Sequence, residues 1–63
     1  MISKSDFSFT FVGHGHYKVW YQSPVTGKTW SKVVNDMHLI DSIRFSDKPK
    51  KSDLNTLKRI IKN

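Results

Sequence analysis

The sequence of 63 residues contains no cysteine and no glutamate, so all five of its acidic residues are aspartate. Without cysteine, neither a disulfide framework nor a thiolate zinc site can support the fold. We therefore expect its stability to come from apolar side chains, including all four phenylalanines, Phe7, Phe9, Phe11 and Phe45. The lack of cysteine also fits an intracellular protein, and we predict a cytoplasmic location.

The sequence also lacks long apolar runs. None approaches the roughly 20 residues that a membrane-spanning helix requires, and the N-terminus has no apolar block typical of a signal peptide. A chain of this length lies near the lower limit for folding without a disulfide or a metal. We therefore expect one small soluble domain over residues 1–63, with no membrane partner.

Positive charge is what the chain has in excess. Eleven lysine and arginine residues against five aspartates give a formal net charge of +6, and the sequence pI is about 9.9. This balance favours an acidic partner, most often nucleic acid. The alternative explanation is that lysine keeps a small protein in solution.

Three segments in the first half of the chain have strand patterns. Residues 6–12 alternate strictly between apolar and polar side chains, and residues 16–22 and 28–34 are rich in aromatic and β-branched residues. Glycine-rich residues 13–15 separate the first two segments, and a Pro/Gly loop separates the second and third. We therefore predict an antiparallel meander over residues 7–34.

The apolar rows of these strands predict their register. A three-residue loop in the first hairpin places Phe11 opposite Tyr17, whereas a two-residue loop would set the Phe row against Lys18 and Trp20. A four-residue loop in the second hairpin places Tyr21 opposite Trp30. One face then carries Phe7, Phe9, Phe11, Tyr17, Val19, Tyr21, Trp30, Lys32 and Val34. The other is polar and basic around one large exposed indole, and carries His16, Lys18, Trp20, Gln22, Thr29, Ser31 and Val33, with Ser8 and Thr10 beside them.

The second half of the chain predicts helices. Asn35 or Asp36 can cap a short helix at about residues 36–45, although alternation also permits a fourth strand there, and we favour the helix. Residues 46–51 form a basic loop. Ser52 is expected to cap a C-terminal helix over residues 52–62.

The predicted fold class is therefore α+β. A three-stranded antiparallel sheet is packed on one face by the C-terminal helix, whose apolar stripe of Leu54, Leu57 and Ile61 covers the Phe side. Residues 1–5 are expected to form a flexible lead-in.

The sequence offers little for catalysis or metal binding. The three histidines, His14, His16 and His38, include one H-x-H pair, but surface imidazoles are the ordinary interpretation. No nucleophile and base have a recognisable spacing, and Gly27 to Thr29 match only the end of a phosphate-loop motif. A domain this small also has little room for a water-excluding cleft. We predict no catalytic residue, metal, cofactor or small-molecule substrate.

The polar sheet face suits nucleic acid. Lys18 can contact phosphate, the amide and hydroxyl groups can bond bases or sugars, and Trp20 can stack on an exposed base. The alternative is that the N-terminal residues or residues 36–45 cover Trp20. The predicted binding residues are Lys18, Trp20, Gln22, Lys28, Thr29 and Ser31 on the sheet and Lys48, Lys50 and Lys51 on the basic loop, extended by Lys58, Arg59 and Lys62.

The stretch YKVWYQSPVTGKTW, residues 17–30, together with the later helix, resembles the three-stranded-sheet DNA-binding modules of tyrosine-integrase arm-binding domains and AP2-like domains. The matching residues are Tyr17, Lys18, Val19, Trp20, Tyr21, Thr26, Gly27, Lys28 and Trp30. The likeness departs after the sheet, where residues 36–51 intervene before the last helix. It implies that the outer sheet face enters the major groove, with Lys18, Trp20, Gln22, Lys28, Thr29 and Ser31 in the binding role.

We therefore expect a small non-catalytic protein that binds DNA or RNA. One alternative is a protein-binding inhibitor or adaptor, similar to stand-alone phage proteins that inhibit a host or defence enzyme, with Trp20 as the interface anchor. Another is a small structural subunit of a ribonucleoprotein. Salt-dependent nucleic-acid binding would separate the first function from the protein-binding alternative.

Overall fold

The computed structural model describes residues 2–63 as a three-stranded sheet with two helices against one of its faces. The strands are β1 (Phe7–Gly13), β2 (His16–Gln22) and β3 (Thr29–Val34), and they pair antiparallel in that order. A 3-10 turn at Lys4–Asp6 precedes them, and helices α1 (Met37–Arg44) and α2 (Lys51–Lys62) follow. The predicted α+β class is confirmed, and the segment expected at about residues 36–45 contains helix α1 rather than a fourth strand.

The predicted lead-in begins at Met1, which lies outside the described residues. Ile2 packs against the core. Within residues 2–63, neither helix combines the length and apolar character needed to cross a membrane.

The predicted strand registers are confirmed. Phe11 pairs with Tyr17, and Tyr21 pairs with Trp30. The predicted three-residue first loop is wrong, because Gly13 pairs with His16 after a bulge. The bulge absorbs one residue of β1, so a two-residue turn and the favourable pairing of the Phe row occur together.

The core lies between the helices and the sheet face that carries the Phe row, which we call the inner face. Val19 at the centre of the sheet is fully buried, as is Leu57 on α2. The buried residues are Phe7, Val19, Tyr21 and Val34 from the sheet, Leu39, Ile40 and Ile43 from α1, and Leu54, Leu57 and Ile61 from α2. Both helices bury their apolar stripes against the inner face. The opposite face, which we call the outer face, therefore has no helix on it among residues 2–63.

Two phenylalanines expected in the core are exposed. Phe11 is 61% exposed and Phe45 is 76% exposed. Helix α2 has 12 residues and is therefore only about 18 Å long, and it packs on β3 and β2. The far end of β1, where Phe11 lies, is consequently left uncovered. Phe45 follows the last residue of α1, so it lies beyond the buried stripe of that helix.

Polar contacts attach the end of α1 to the rest of the fold. The Arg44 guanidinium donates a hydrogen bond to the Tyr17 hydroxyl at 2.7 Å and lies 4.7 Å from the centre of that ring. The Lys4 Nζ donates to the carbonyl oxygens of Arg44 at 2.7 Å and Ser46 at 3.1 Å. An ammonium at a helix C-terminus satisfies carbonyls left unpaired by the helix and complements its dipole.

The two helices begin differently. At α1, the Asp36 side chain accepts a hydrogen bond from the Leu39 amide at 3.1 Å, as a capping residue should. The prediction that Ser52 caps the last helix is wrong, because α2 begins at Lys51 and its N-cap is Lys50, which makes no side-chain cap bond. Asp53 in the first turn complements the positive end of the helix instead.

The Asp36 cap leads to a stability prediction. Asp36→Ala should lower the free energy of unfolding by about 1 kcal/mol, because the Leu39 amide loses its acceptor. Asp36→Asn retains a capping oxygen and should stay close to wild type, and Asp41→Ala on the exposed side of α1 is a second control. Urea denaturation followed by circular dichroism measures all three, and equal losses for Asp36→Ala and Asp36→Asn would contradict the capping role.

Candidate nucleic-acid interface

Trp20 occupies the middle of the outer face. It lies on the central strand, and its cross-strand neighbours are Ser8 on β1 and Ser31 on β3. Ile2 and the buried apolar residues of α1 pack against the core on the inner face. The indole is partly exposed rather than fully exposed. It is thus a single large side chain between two small hydroxyls.

Lys18 supplies the charge beside this indole. Its Nζ lies 5.3 Å from the centre of the Trp20 ring, within the range of a cation–π contact. Its cross-strand neighbours, Thr10 and Val33, carry no charge. The contact holds the ammonium next to the ring, where it can meet a phosphate adjacent to a stacked base.

The remaining sheet residues of the predicted site gather at the second hairpin. Gln22 and Thr29 are paired there, and Lys28 is exposed immediately before β3. The Gln22 Nε2 donates to the Gly27 carbonyl at 3.3 Å, so this amide already braces the loop. Its carbonyl oxygen, together with Thr29 and Lys28, is left to contact a ligand.

The hairpin loop itself is tied down by backbone and side-chain bonds. The Ser23 amide donates to the Lys28 carbonyl, and the Gly27 amide donates to the Ser23 carbonyl, both at 2.9 Å. The Ser23 Oγ accepts from the amides of Val25 and Thr26 at 3.3 Å. Lys28 therefore follows a defined turn at the end of the second hairpin.

The whole sheet lacks acidic residues, a feature that is visible in the sequence. The five aspartates, Asp6, Asp36, Asp41, Asp47 and Asp53, all lie outside residues 7–35. The same segment contains Lys18, Lys28 and Lys32. Of these three lysines, strand pairing places Lys18 on the outer face. No carboxylate from the strands lies beside it, which is favourable for a polyanion.

The basic loop is placed away from the outer face. Lys48 and Lys51 line a groove of about 310 Å³ together with residues 2–5 and Leu54. Leu54 is a core residue on the inner side, so this groove belongs to the helix layer. Lys50 precedes α2 as its N-cap. The predicted sheet residues are thus brought together, whereas the three loop lysines form a separate group.

Further cations lie on α2 over the inner-face aromatics. The Lys58 Nζ is 5.6 Å from the centre of the Tyr21 ring, and the Lys62 Nζ is 4.6 Å from the centre of the Trp30 ring. With Asn55, Arg59 and Asn63 they line a shallow groove of about 410 Å³. Their alkyl stems cover aromatic surface at the end of the core, which gives them a structural role independent of any ligand.

The three histidines are dispersed. His14 is in the first turn with a φ of 54°, His16 is on β2, and His38 is exposed on α1. Across residues 2–63, no three or more His, Asp or Glu side chains are grouped as a metal site requires. The H-x-H pair thus has no third ligand in this part of the chain.

Sequence reasoning missed Ser8 as a member of the candidate interface. The predicted register already placed Ser8 beside Trp20, and that register was the signal that could have identified it. The chain matches no protein-family model, and comparisons with curated proteins and with solved structures gave no significant match. The resemblance to integrase arm-binding and AP2-like modules stays a prediction.

Proposed function

We propose that this protein binds nucleic acid through the outer face of its sheet, without catalysis. The observation that carries the proposal is the combination of an uncovered face, an absence of acidic residues from residues 7–35, and a central indole with an adjacent ammonium. Such a face provides both phosphate attraction and a stacking surface.

The position of Trp20 favours unpaired bases over a closed duplex. An indole stacks on the flat side of a base, and that side is accessible only where the base is unstacked from its neighbours. The small side chains of Ser8 and Ser31 on either side of Trp20 leave room for a base to approach the ring. Major-groove docking, which the family resemblance implies, would instead favour duplex DNA.

A salt titration with labelled single-stranded DNA and RNA tests the proposal. If Lys18 and Lys28 each neutralise one phosphate, the slope of log K against log salt should be about −1.4. Affinity should then fall about sevenfold between about 50 and 200 mM salt. If the loop group of Lys48, Lys50 and Lys51 also takes part, the slope should approach about −3.5. Fluorescence anisotropy measures both quantities, and a matched duplex distinguishes stacking from groove docking.

Two strand lysines on opposite faces provide a matched control. Lys18 is on the outer face, whereas Lys32 pairs with Val19 and therefore lies on the inner side. Lys18→Ala should weaken binding and make the salt slope shallower by about 0.7, while Lys32→Ala, which removes the same charge, should have little effect. Equal effects of the two variants would indicate attraction by net charge alone.

Negligible binding to DNA and RNA at low salt would overturn the proposal. The same Trp20 surface would then serve as a protein interface, as in an inhibitor or adaptor, or in a subunit of a larger assembly. In that case Trp20→Ala should still weaken binding to the protein partner, but this binding should depend only weakly on salt.

A further inference from the structure

The first strand of the sheet has one unpaired edge. In the order β1-β2-β3, strand β1 pairs only with β2 among residues 2–63. Half of the backbone amide and carbonyl groups of an edge strand point away from the sheet and can pair with another strand. Proteins usually protect such edges with charged side chains, prolines or a covering segment.

Strand β1 lacks the charged side chains that protect other edges. Its seven residues, FSFTFVG, contain neither a charged residue nor a proline. Phe11 is 61% exposed and Val12 is 49% exposed. The other edge strand, β3, carries Lys32, which is exposed. The two edges of this sheet therefore differ in charge.

We propose that two copies of this chain associate through their β1 strands, antiparallel to each other, to form one continuous six-stranded sheet. The charge distribution selects a second copy as the partner. An acidic protein would find no cation on β1 to attract it, whereas two bodies of net charge +6 can meet only where charge is low. An uncharged edge therefore suits self-association.

The sequence of β1 is also complementary to itself. Pairing about a twofold axis at Phe9 places Phe7 opposite Phe11 of the second copy and Ser8 opposite its Thr10. All six phenylalanines of the two strands then lie on the inner side, and exposed Phe11 gains a neighbour. The interface is small by the standard of stable dimers, so we expect micromolar or weaker association.

This arrangement would place both outer faces on the same side of the extended sheet. The two Trp20 residues would lie three strand spacings, or about 14 Å, apart across the sheet and two residues apart along the strand direction. If the outer face binds nucleic acid as proposed, the dimer would hold two binding surfaces for one strand. This consequence rests on the proposed function, whereas the β1 pairing does not.

Sedimentation equilibrium without nucleic acid tests the pairing, using a lysine substitution at three sites. Thr10 lies on β1, Val33 on β3 and Val25 in the hairpin loop, and all three are exposed. Thr10→Lys should weaken dimerisation about tenfold, because the twofold axis at Phe9 makes the two new ammonium groups diagonal neighbours across the interface. Val33→Lys and Val25→Lys carry the same added charge and should dimerise almost as the wild type does.

Salt should have opposite effects on dimerisation and on nucleic-acid binding. Dimerisation should be stronger at about 0.5 M than at 0.05 M salt, because screening reduces repulsion between the copies, whereas nucleic-acid binding should be weaker. Phe11→Lys is a second edge variant, and unchanged circular dichroism and melting temperatures show that the variants fold. A monomer at all salt concentrations, or disruption by Val33→Lys rather than by the edge variants, would overturn the pairing and leave the proposed function unaffected.

Discussion

Replacing Leu57 with alanine should leave little of the chain folded at physiological temperature. Leu57 is completely buried between α2 and the sheet, and such truncations cost about 2–5 kcal/mol. A domain of this size has a total stability of only about 3–9 kcal/mol. No disulfide is available to compensate, since the chain contains no cysteine. The loss is therefore comparable to the whole stability of the fold.

Urea and thermal denaturation followed by circular dichroism measure this effect. Arg59→Ala is a control on the same helix, because Arg59 is exposed and alanine preserves helix propensity in both variants. We expect Arg59→Ala to unfold close to the wild-type midpoint. A cooperative wild-type-like transition for Leu57→Ala would show that α2 contributes far less to the core than its burial indicates.

Replacing Trp20 with alanine should reduce affinity for single-stranded nucleic acid by about 5- to 150-fold. This range corresponds to the 1–3 kcal/mol that stacking of one base on an aromatic side chain contributes. The salt slope should stay unchanged, because the substitution removes no cation. A loss of affinity with an unchanged slope would thus separate stacking from phosphate contact.

The second tryptophan provides the matched control. Trp30 lies on the inner face, stacked with Tyr21 at a centroid distance of 5.8 Å, and faces Lys62. Trp30→Phe leaves Trp20 as the sole indole, so its fluorescence should be quenched when a base stacks on it. Trp20→Phe leaves Trp30, whose emission should respond to unfolding but not to nucleic acid. Equal responses from both variants would contradict an outer-face site.

Much of the sheet could be predicted because alternation and turn residues act locally. The Phe row of β1 and the aromatic residues of β2 permit one register that keeps apolar side chains together, and that register is present. The bulge near Gly13 could not be predicted, because it changes the loop length without changing the faces of the strands. A pattern of period two is insensitive to such an insertion when the register recovers beyond it.

The extent of the core could not be predicted for a different reason. Alternation assigns Phe11 to the inner face, but it does not indicate how far along each strand a helix reaches. That limit depends on the length and direction of α2, which are set by packing between distant segments. The contact of Arg44 with Tyr17 is likewise between residues 27 positions apart. Nothing in the local sequence around either residue indicates the other.

The candidate site also has one part that the sequence pattern predicts and one part that it does not. Lys18, Trp20, Gln22, Thr29 and Ser31 were predicted to share a face, and strand pairing places them on it. Lys48, Lys50 and Lys51 were included in the predicted site because of their charge, and no sequence pattern indicates where they lie relative to the sheet. Their position beside residues 2–5 follows from where α2 begins, which the sequence did not reveal.

The order of segments has a consequence for synthesis on the ribosome. All three strands are made before α2, and α2 supplies Leu54, Leu57 and Ile61 to the core. Until α2 emerges, the nascent sheet has aromatic side chains on one side and only α1 to cover them. The growing chain is therefore most susceptible to misassociation and proteolysis in the interval between the emergence of β3 and that of α2.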